Sequence, residues 1–271
     1  MLFVCPKCKG ELSVLPDGRA VCDNGHSYDR AKEGYYNLLM KNTGKAHGDN
    51  KEMVLARRAF LNTGAYLPLA RKLFETTERY IENGMALLDA GCGEGYYTDY
   101  IERRLSESGK RVSVFGFDIS RDAVRYAAKK NSSLSSAVAS SYDMPIADGS
   151  VDVLLNVFSP LALSETSRVL RRGGKFIMAI PAENHLFGLK SILYEKPYKN
   201  TVENSTLTGF RLLSEERVEY KLVLEEKGKI ASLFKMTPYA YRTPSSAKER
   251  LLSLEYLETE VEFIVFTYER E

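Results

Sequence analysis

Between residues 85 and 180 the chain repeats one pattern: a short apolar run, a turn, then apolar residues at helical spacing. The runs at 86–88, 112–117, 151–157 and 176–180 predict strands. The stretches 96–105, 122–130 and 163–170 predict the helices between them, with Ser120 placed to cap the second. A helix between consecutive strands carries the chain back across the sheet, so those strands pair in parallel. The expected class is α/β, a doubly wound sheet with helices on both faces.

The flanks read differently. Residues 40–50 are polar and contain glycine, as a loop or linker would. Asn50 is placed to cap a helix with Met53, Val54, Phe60 and Leu61 on its apolar face and Arg57 and Arg58 on the other. A second helix is expected over 67–81, with Leu69, Ala70, Leu73, Phe74 and Ile81 at helical spacing. Near the end, 221–224 and 261–268 read as strands, accounted for by antiparallel additions to the sheet. Arg171-Arg172-Gly173-Gly174-Lys175 reads as a tight turn.

At 44% hydrophobic and 27% charged residues the chain is too apolar for disorder and too polar for a membrane protein. No apolar run approaches the roughly 18 residues of a membrane span, and residues 1–7 are too short an apolar stretch for an export signal. A reducing cytoplasm is therefore expected, with cysteines read first as metal ligands or buried thiols. Net charge is only +2, but residues 1–72 carry 12 Lys/Arg against 7 Asp/Glu, and residues 245–271 carry 3 against 7. A basic front fits a polyanion-facing surface, and also an ordinary solvated one.

Cys5-Pro6-Lys7-Cys8 followed by Cys22-Asp23-Asn24-Gly25-His26 gives C-x2-C-x13-C-x3-H. Zinc takes four such ligands in a tetrahedron, and two closely spaced pairs supply them without a large core. Binding also drives the folding of a segment too short to fold alone. Cys5, Cys8, Cys22 and His26 fill the coordination sphere, so the site is structural, one ion with no position for a reacting water. Unrelated buried thiols and a surface histidine are the alternative.

Asp89-Ala90-Gly91-Cys92-Gly93-Glu94-Gly95-Tyr96 lies at the first strand-to-helix junction. Glycines there let the backbone turn tightly and approach a ligand. A dinucleotide loop, G-x-G-x-x-G, is opposed by Tyr96 in the third glycine's slot and by Glu94, whose carboxylate would face a pyrophosphate. A cofactor with cationic centres and no phosphate meets no such objection. S-adenosylmethionine fits, with Asp89, Gly91, Gly93, Glu94, Gly95 and Tyr96 as the expected contacts. Asp118, ending the next strand, is placed to accept both ribose hydroxyls, or to serve as a helix N-terminal carboxylate. Asp143 could meet the adenine edge, or be a turn residue before Pro145.

Taken together, these motifs resemble the bacterial 23S ribosomal RNA guanine-N1-methyltransferases. The similarity extends to the run from Ala31 to Leu39, to Ala56-Arg57-Arg58-Ala59-Phe60-Leu61, to Tyr97 after the glycine loop and to Met236-Thr237-Pro238-Tyr239-Ala240. It covers almost the whole chain, from residue 5 to about 242. The resemblance implies a Rossmann-like methyltransferase sheet, zinc at the four ligands above, and S-adenosylmethionine contacts at Tyr66, Gly93, Glu94 and His185. It also implies 23S rRNA as partner, with neither DNA nor membrane, and a homodimer. The domains expected are a zinc ribbon over 1–36, a linker and helices over 37–84, and the methyltransferase domain over 85–271. The segment Asn156-Val157-Phe158-Ser159-Pro160 departs from the family pattern while keeping its aromatic and proline.

Guanine N1 is protonated and normally paired, so the base must be unpaired or extruded, with Phe158 and Tyr142 as stacking candidates. The N1 proton would pass to Glu94, to Asp143 or to solvent. Lys7, Lys9, Arg30, Lys32, Arg57 and Arg58 are the expected phosphate contacts. The alternatives are a quinone-type small-molecule methyltransferase, which shares the sheet and loop but needs no ribbon, and a non-catalytic RNA-binding module.

Overall fold

The computed structural model describes residues 2–40, 48–202 and 205–271; most of the loop expected at 40–50 lies outside them. Four two-residue strands come first: β1 (Ser13–Val14), β2 (Ala20–Val21), β3 (Ser27–Tyr28) and β4 (Tyr36–Asn37). Helices α1 (Lys51–Leu61) and α2 (Leu67–Tyr80) lead into β5 (Ala86–Ala90), α3 (Tyr96–Glu107), β6 (Ser113–Asp118), α4 (Arg121–Lys130), β7 (Ser135–Val138), β8 (Val151–Val157), α5 (Leu163–Val169) and β9 (Leu170–Pro181). The chain ends with α6 (Phe187–Leu193), β10 (Phe210–Leu224), α7 (Lys227–Lys235), α8 (Tyr239–Arg242), α9 (Ser245–Leu252) and β11 (Leu257–Arg270).

Eight strands form one sheet in the order β10-β11-β9-β8-β5-β6-β7-β4, and β1, β2 and β3 form a small antiparallel sheet. From β9 through β4 the pairing is parallel, as the alternation requires. Strands β10 and β11 add antiparallel at one edge. After β5 the chain moves outward through β6 and β7, then returns to place β8 on the other side of β5. The crevice beyond the carboxyl ends of β5 and β8 is therefore the topological switch point, where such sheets bind ligands.

Both expected caps form: the Asn50 side chain accepts from the Met53 N–H at 3.0 Å and Ser120 from the Ala123 N–H at 3.3 Å. Along β5 the side chains alternate, Leu87 into the core under α2 and α3 and Leu88 into the opposite one. That second core holds Phe3, Cys5, Leu12, Ala20 and Cys22 with Phe115 and Phe117 of β6. The N-terminal ribbon thus covers part of a sheet face, with Phe3 edge-on to Phe115 at 5.8 Å and the Val4 N–H donating to the Pro145 carbonyl. Its chain then enters the large sheet itself as β4, paired to β7.

Two expectations are corrected. Residues 171–175 do not precede a strand as a turn but lie within β9, which starts at Leu170. Val151 pairs with Leu170 and Val153 with Lys175, so 171–174 bulge out, with Gly173 at φ +71°. Strand β10 runs from Phe210 instead of 221. Its Glu215, Glu216, Arg217 and Glu219 hide it in the sequence, because an edge strand with a solvated face carries charge there.

Candidate functional site

A cavity of about 1280 Å³ opens at the switch point. The tips of β5 and β6 and the loop between β5 and α3 form one end of it. The Gly91 and Cys92 N–H groups donate to the Phe117 carbonyl at 2.8 and 2.9 Å, and the Gly93 N–H donates to Asp118 Oδ2 at 3.0 Å. Gly91, Gly93 and Gly95 have φ of +89°, +56° and +77°, which side chains resist. Gly91 has a second reason to lack one: a Cβ there would sit 2.2 Å from Ser159 Oγ.

Three carboxylates expected at the cofactor line this cavity, each in a different state. Asp89 is buried and accepts from the Thr98 hydroxyl through Oδ2, while its Oδ1 is buried with no hydrogen-bond partner among the described residues. Burial pushes its carboxyl up to about 7, against the Thr98 hydrogen bond and with a further push from the Asp118 charge. Asp118 accepts from Gly93 N and from Ser120 N at 2.7 Å, one bond to each oxygen, leaving a lone pair on each. Burial raises its pKa as well. Glu94 is held between cations, with Lys130 Nζ 3.1 Å from both oxygens and Arg58 Nη1 at 3.7 Å.

The sign of the Asp89 shift gives a test. Its carboxyl holds a proton more tightly folded than unfolded, so the ligand-free protein loses stability as pH rises from about 4 to about 7. Asp89→Asn removes that loss while keeping an acceptor for Thr98. Thermal melts without ligand should show the variant equal to wild type near pH 4 and a few degrees higher at pH 8.

The other end of the cavity is aromatic. Tyr66, Phe158, His185 and Phe263 meet there, with centroids 4.9 Å apart for Tyr66–Phe263, 4.6 Å for His185–Phe263 and 5.2 Å for Phe158–Phe263. His185 Nδ1 accepts from the Glu262 backbone N–H at 3.3 Å, so Nε2 carries the proton and faces the Tyr66 hydroxyl at 3.3 Å. Burial, then the charge of Lys190, holds its pKa down to about 3, so the imidazole stays neutral. Phe158 stands at φ +56°, an unfavourable backbone for a bulky residue, and is 42% exposed at the cavity.

Some expected residues have other contacts. Tyr96 lines the cavity but also sits against Lys130, 5.4 Å from its ring. Asp143 lies at the rim in an ion pair with Lys9 of the ribbon, 2.5 Å away. Arg57 pairs with Asp49, and Arg58 lies over the Tyr126 ring beside Glu94. These two arginines face carboxylates, whereas Lys7, Arg30 and Lys32 are exposed on the ribbon. Sequence reasoning missed Thr98, Tyr198, Asn200 and Phe263. Thr98 alone left a local signal, two residues beyond Tyr96 on the helix that opens from the loop.

In the ribbon, Cys5 Sγ and Cys22 Sγ each lie 3.4 Å from His26 Nδ1, and Cys8 Sγ lies 3.6 Å from Cys22 Sγ. All four ligand atoms fall within 4.8 Å of one another. A tetrahedron with Zn–S and Zn–N bonds of about 2.3 and 2.0 Å has edges of about 3.5–3.8 Å. The four residues therefore fit zinc, with His26 presenting Nδ1. Tyr28, unanticipated, places its hydroxyl 3.1 Å from Cys5 Sγ, where it can orient a ligand from outside the first sphere.

Comparison with known proteins matches both parts of the chain. Residues 81–235 match the family described as "Methyltransferase domain", and residues 3–43 match the zinc ribbon described as "RlmA, N-terminal". The 23S rRNA (guanine(748)-N(1))-methyltransferase of Streptomyces fradiae is 37% identical over 192 residues, covering 70% of this chain and 66% of that one. Two proteins named "Putative 23S rRNA (guanine-N(1)-)-methyltransferase" align more fully. That of Micromonospora griseorubida is 31% identical over 92% of this chain and 90% of its own, and that of Bacillus subtilis 29% over 90% and 88%. With a zinc ribbon folded onto a methyltransferase sheet and relatives matched along nearly the whole length, the chain belongs to the 23S rRNA (guanine-N1)-methyltransferase family.

Proposed function

We propose that the protein moves a methyl group from S-adenosylmethionine to N1 of a guanine in a hairpin loop of 23S rRNA. One observation carries this reading. The ribbon and the cofactor cavity share a rim, joined by the Lys9–Asp143 ion pair, so RNA held by the ribbon arrives at the mouth of the site. A small-molecule methyltransferase has no use for that arrangement.

S-adenosylmethionine supplies an electrophilic methyl group, and the residues present suit it. Asp89 Oδ1, without a hydrogen-bond partner among the described residues, offers an ammonium an acceptor, and the remaining lone pairs of Asp118 offer a ribose diol two. The glycine loop allows close backbone approach. Because His185 donates to Tyr66, the Tyr66 hydroxyl proton is left to donate into the cavity. Phe158 and the exposed Tyr142 offer faces to an extruded base, worth about 1–3 kcal/mol per stacked base. Holding base and cofactor in line is the main catalytic contribution. Cys5, Cys8, Cys22 and His26 would hold zinc, and its binding would supply the energy that folds the ribbon.

The division into ribbon (1–36), connecting helices (37–84) and methyltransferase domain (85–271) follows these roles. Among the described residues no helix is long and apolar enough to cross a membrane. A homodimer is the form the family resemblance implies, and the cytoplasm is the compartment the cysteine usage points to. The direct test is transfer from labelled cofactor to 23S rRNA fragments with the modified nucleotide mapped; label on a quinone-like acceptor but not on RNA would refute the proposal. Phosphate contacts through Lys7, Arg30 and Lys32 should add about −0.7 each to the slope of log affinity against log salt. Filter binding of Lys7→Ala, Arg30→Ala and Lys32→Ala together should show the slope reduced, with cofactor affinity unchanged.

A further inference from the structure

Lys190, on α6, is fully buried, yet among the described residues it forms no ion pair. Its Nζ donates to Asn200 Oδ1 at 2.6 Å and to the Tyr198 carbonyl at 3.2 Å. It lies 4.7 Å from the centre of the Tyr198 ring and 5.7 Å from that of Tyr239. A buried charge without a counter-ion is costly, and two neutral acceptors with two ring faces offset only part of the cost.

The carboxylates of β11 and of the loop before α6 are engaged elsewhere. On β11, Glu258 pairs with Lys221, Glu260 accepts from the Gly188 N–H, and Glu262 accepts from the Asn184 N–H. Glu183 pairs with Arg217. From α9, which also carries Glu249, Arg250 donates to the Ile192 carbonyl. Burial holds the His185 pKa down and raises those of Tyr198 and Tyr239, so these three neighbours are neutral at working pH, and the charged side chains nearest in the chain are Glu195, Lys196 and Lys199 after α6 and Arg242 on α8. Tyr198, Asn200, Tyr239 and His185 all line the cavity, so Lys190 stands one layer behind its wall. Its charge reaches that wall, since it helps keep His185 unprotonated.

This reaction needs such a charge. The carboxylates considered as acceptors for the N1 proton are occupied, Glu94 by Lys130 and Arg58 and Asp143 by Lys9, while Asp89 and Asp118 lie at the glycine loop. We propose that Lys190 is a positioning residue whose positive potential, projected through Tyr198 and Tyr239, stabilises the guanine anion formed when N1 loses its proton. The N1–H bond breaks, the proton passes to solvent base, and its electron pair stays on the ring, shared between N1 and O6. The N1 pair then forms the bond to the methyl carbon as the carbon–sulfur bond breaks, its electrons returning to sulfur. The inference rests on the guanine-N1 reading above.

The test is the pH dependence of single-turnover methyl transfer to a 23S rRNA fragment by wild type, Lys190→Met and Lys190→Arg. Methionine keeps the apolar stem and removes the charge. Anionic guanine should then be rarer, so the rising limb of log rate should move alkaline by about one pH unit. The rate near neutrality should fall about tenfold, with the gap closing at higher pH. Lys190→Arg should restore the wild-type limb, and calorimetry should show cofactor affinity unchanged in both. Should Lys190→Met not fold, Lys190→Gln, which keeps a donor for Asn200, makes the same comparison. An unmoved limb, or a loss equal at every pH, overturns the inference while leaving the guanine-N1 reading intact. A wild-type enzyme that does not methylate guanine N1 overturns both.

Discussion

Replacing Cys5 and Cys22 together by serine is expected to lower methyl transfer to 23S rRNA by about a hundredfold or more, while S-adenosylmethionine affinity stays within about threefold, because metal binding and ribbon folding are one equilibrium. Structural zinc contributes about 10–16 kcal/mol of apparent binding energy in small ribbons, more than such a segment gains from its own core. Cys5 and Cys22 each also approach His26, so their loss removes half the ligands and the contacts that hold the other two. The cofactor end of the cavity is built from β5, β6 and α3, which do not depend on the ribbon for their pairing. Zinc content by atomic absorption, cofactor titration and labelled transfer, run on the same preparation, check the separation. Equal losses in both activities would show that the ribbon supports the sheet as a whole, through Phe3 and Phe115, instead of serving RNA.

Gly91→Ala should produce the opposite pattern, with cofactor affinity down by about a hundredfold or more and RNA binding near wild type. At φ +89° an alanine carries backbone strain of about 1–3 kcal/mol. The larger effect is steric: the new methyl would lie 2.2 Å from Ser159 Oγ and 2.5 Å from its Cβ. Relief requires either the glycine loop or the loop after β8 to move, and both line the cofactor cavity. Gly91→Ala combined with Ser159→Gly removes the clash and leaves the strain, so it should recover most but not all of the affinity. Isothermal titration of wild type and the single and double variants measures each part. No recovery in the double variant would place the whole cost in the backbone.

How much of this was legible depends on how local each cause is. The parallel strands could be read because both their faces are buried, which makes a continuous apolar run. β7 was faint, since Ser135 and Ser136 interrupt the apolar signal although the strand is largely buried. α7 was overlooked although Ile230, Leu233 and Phe234 carry a helical spacing. The metal site needed only ligand spacing within 22 residues, and its four predicted atoms do converge. At the cofactor end, Asp89, the three glycines and Asp118 occupy adjacent strand ends, where chain order fixes who meets whom. The states of these groups were not legible. In the sequence Glu94 stands as a loop carboxylate that could touch a ligand or take a proton, yet Arg58 and Lys130 converge on it from two helices. Nothing local in the sequence marks that Arg57 pairs with Asp49 and Arg58 with Glu94.

The sequence by itself determined the parallel sheet, the ligands of the ribbon and the glycine loop, because each follows from spacing along a short stretch of backbone. Only the tertiary structure decided which charges are spent on one another and which remain. Phe263, Tyr66 and His185 come from three distant segments to make one aromatic wall. Lys190 finds its partners, Tyr198 and Asn200, in the chain after α6, and among the described residues it pairs with no carboxylate. Electrostatic and stacking energies depend on distance in space, and a strand order that places β8 and β11 beside elements far away in the chain sets those distances.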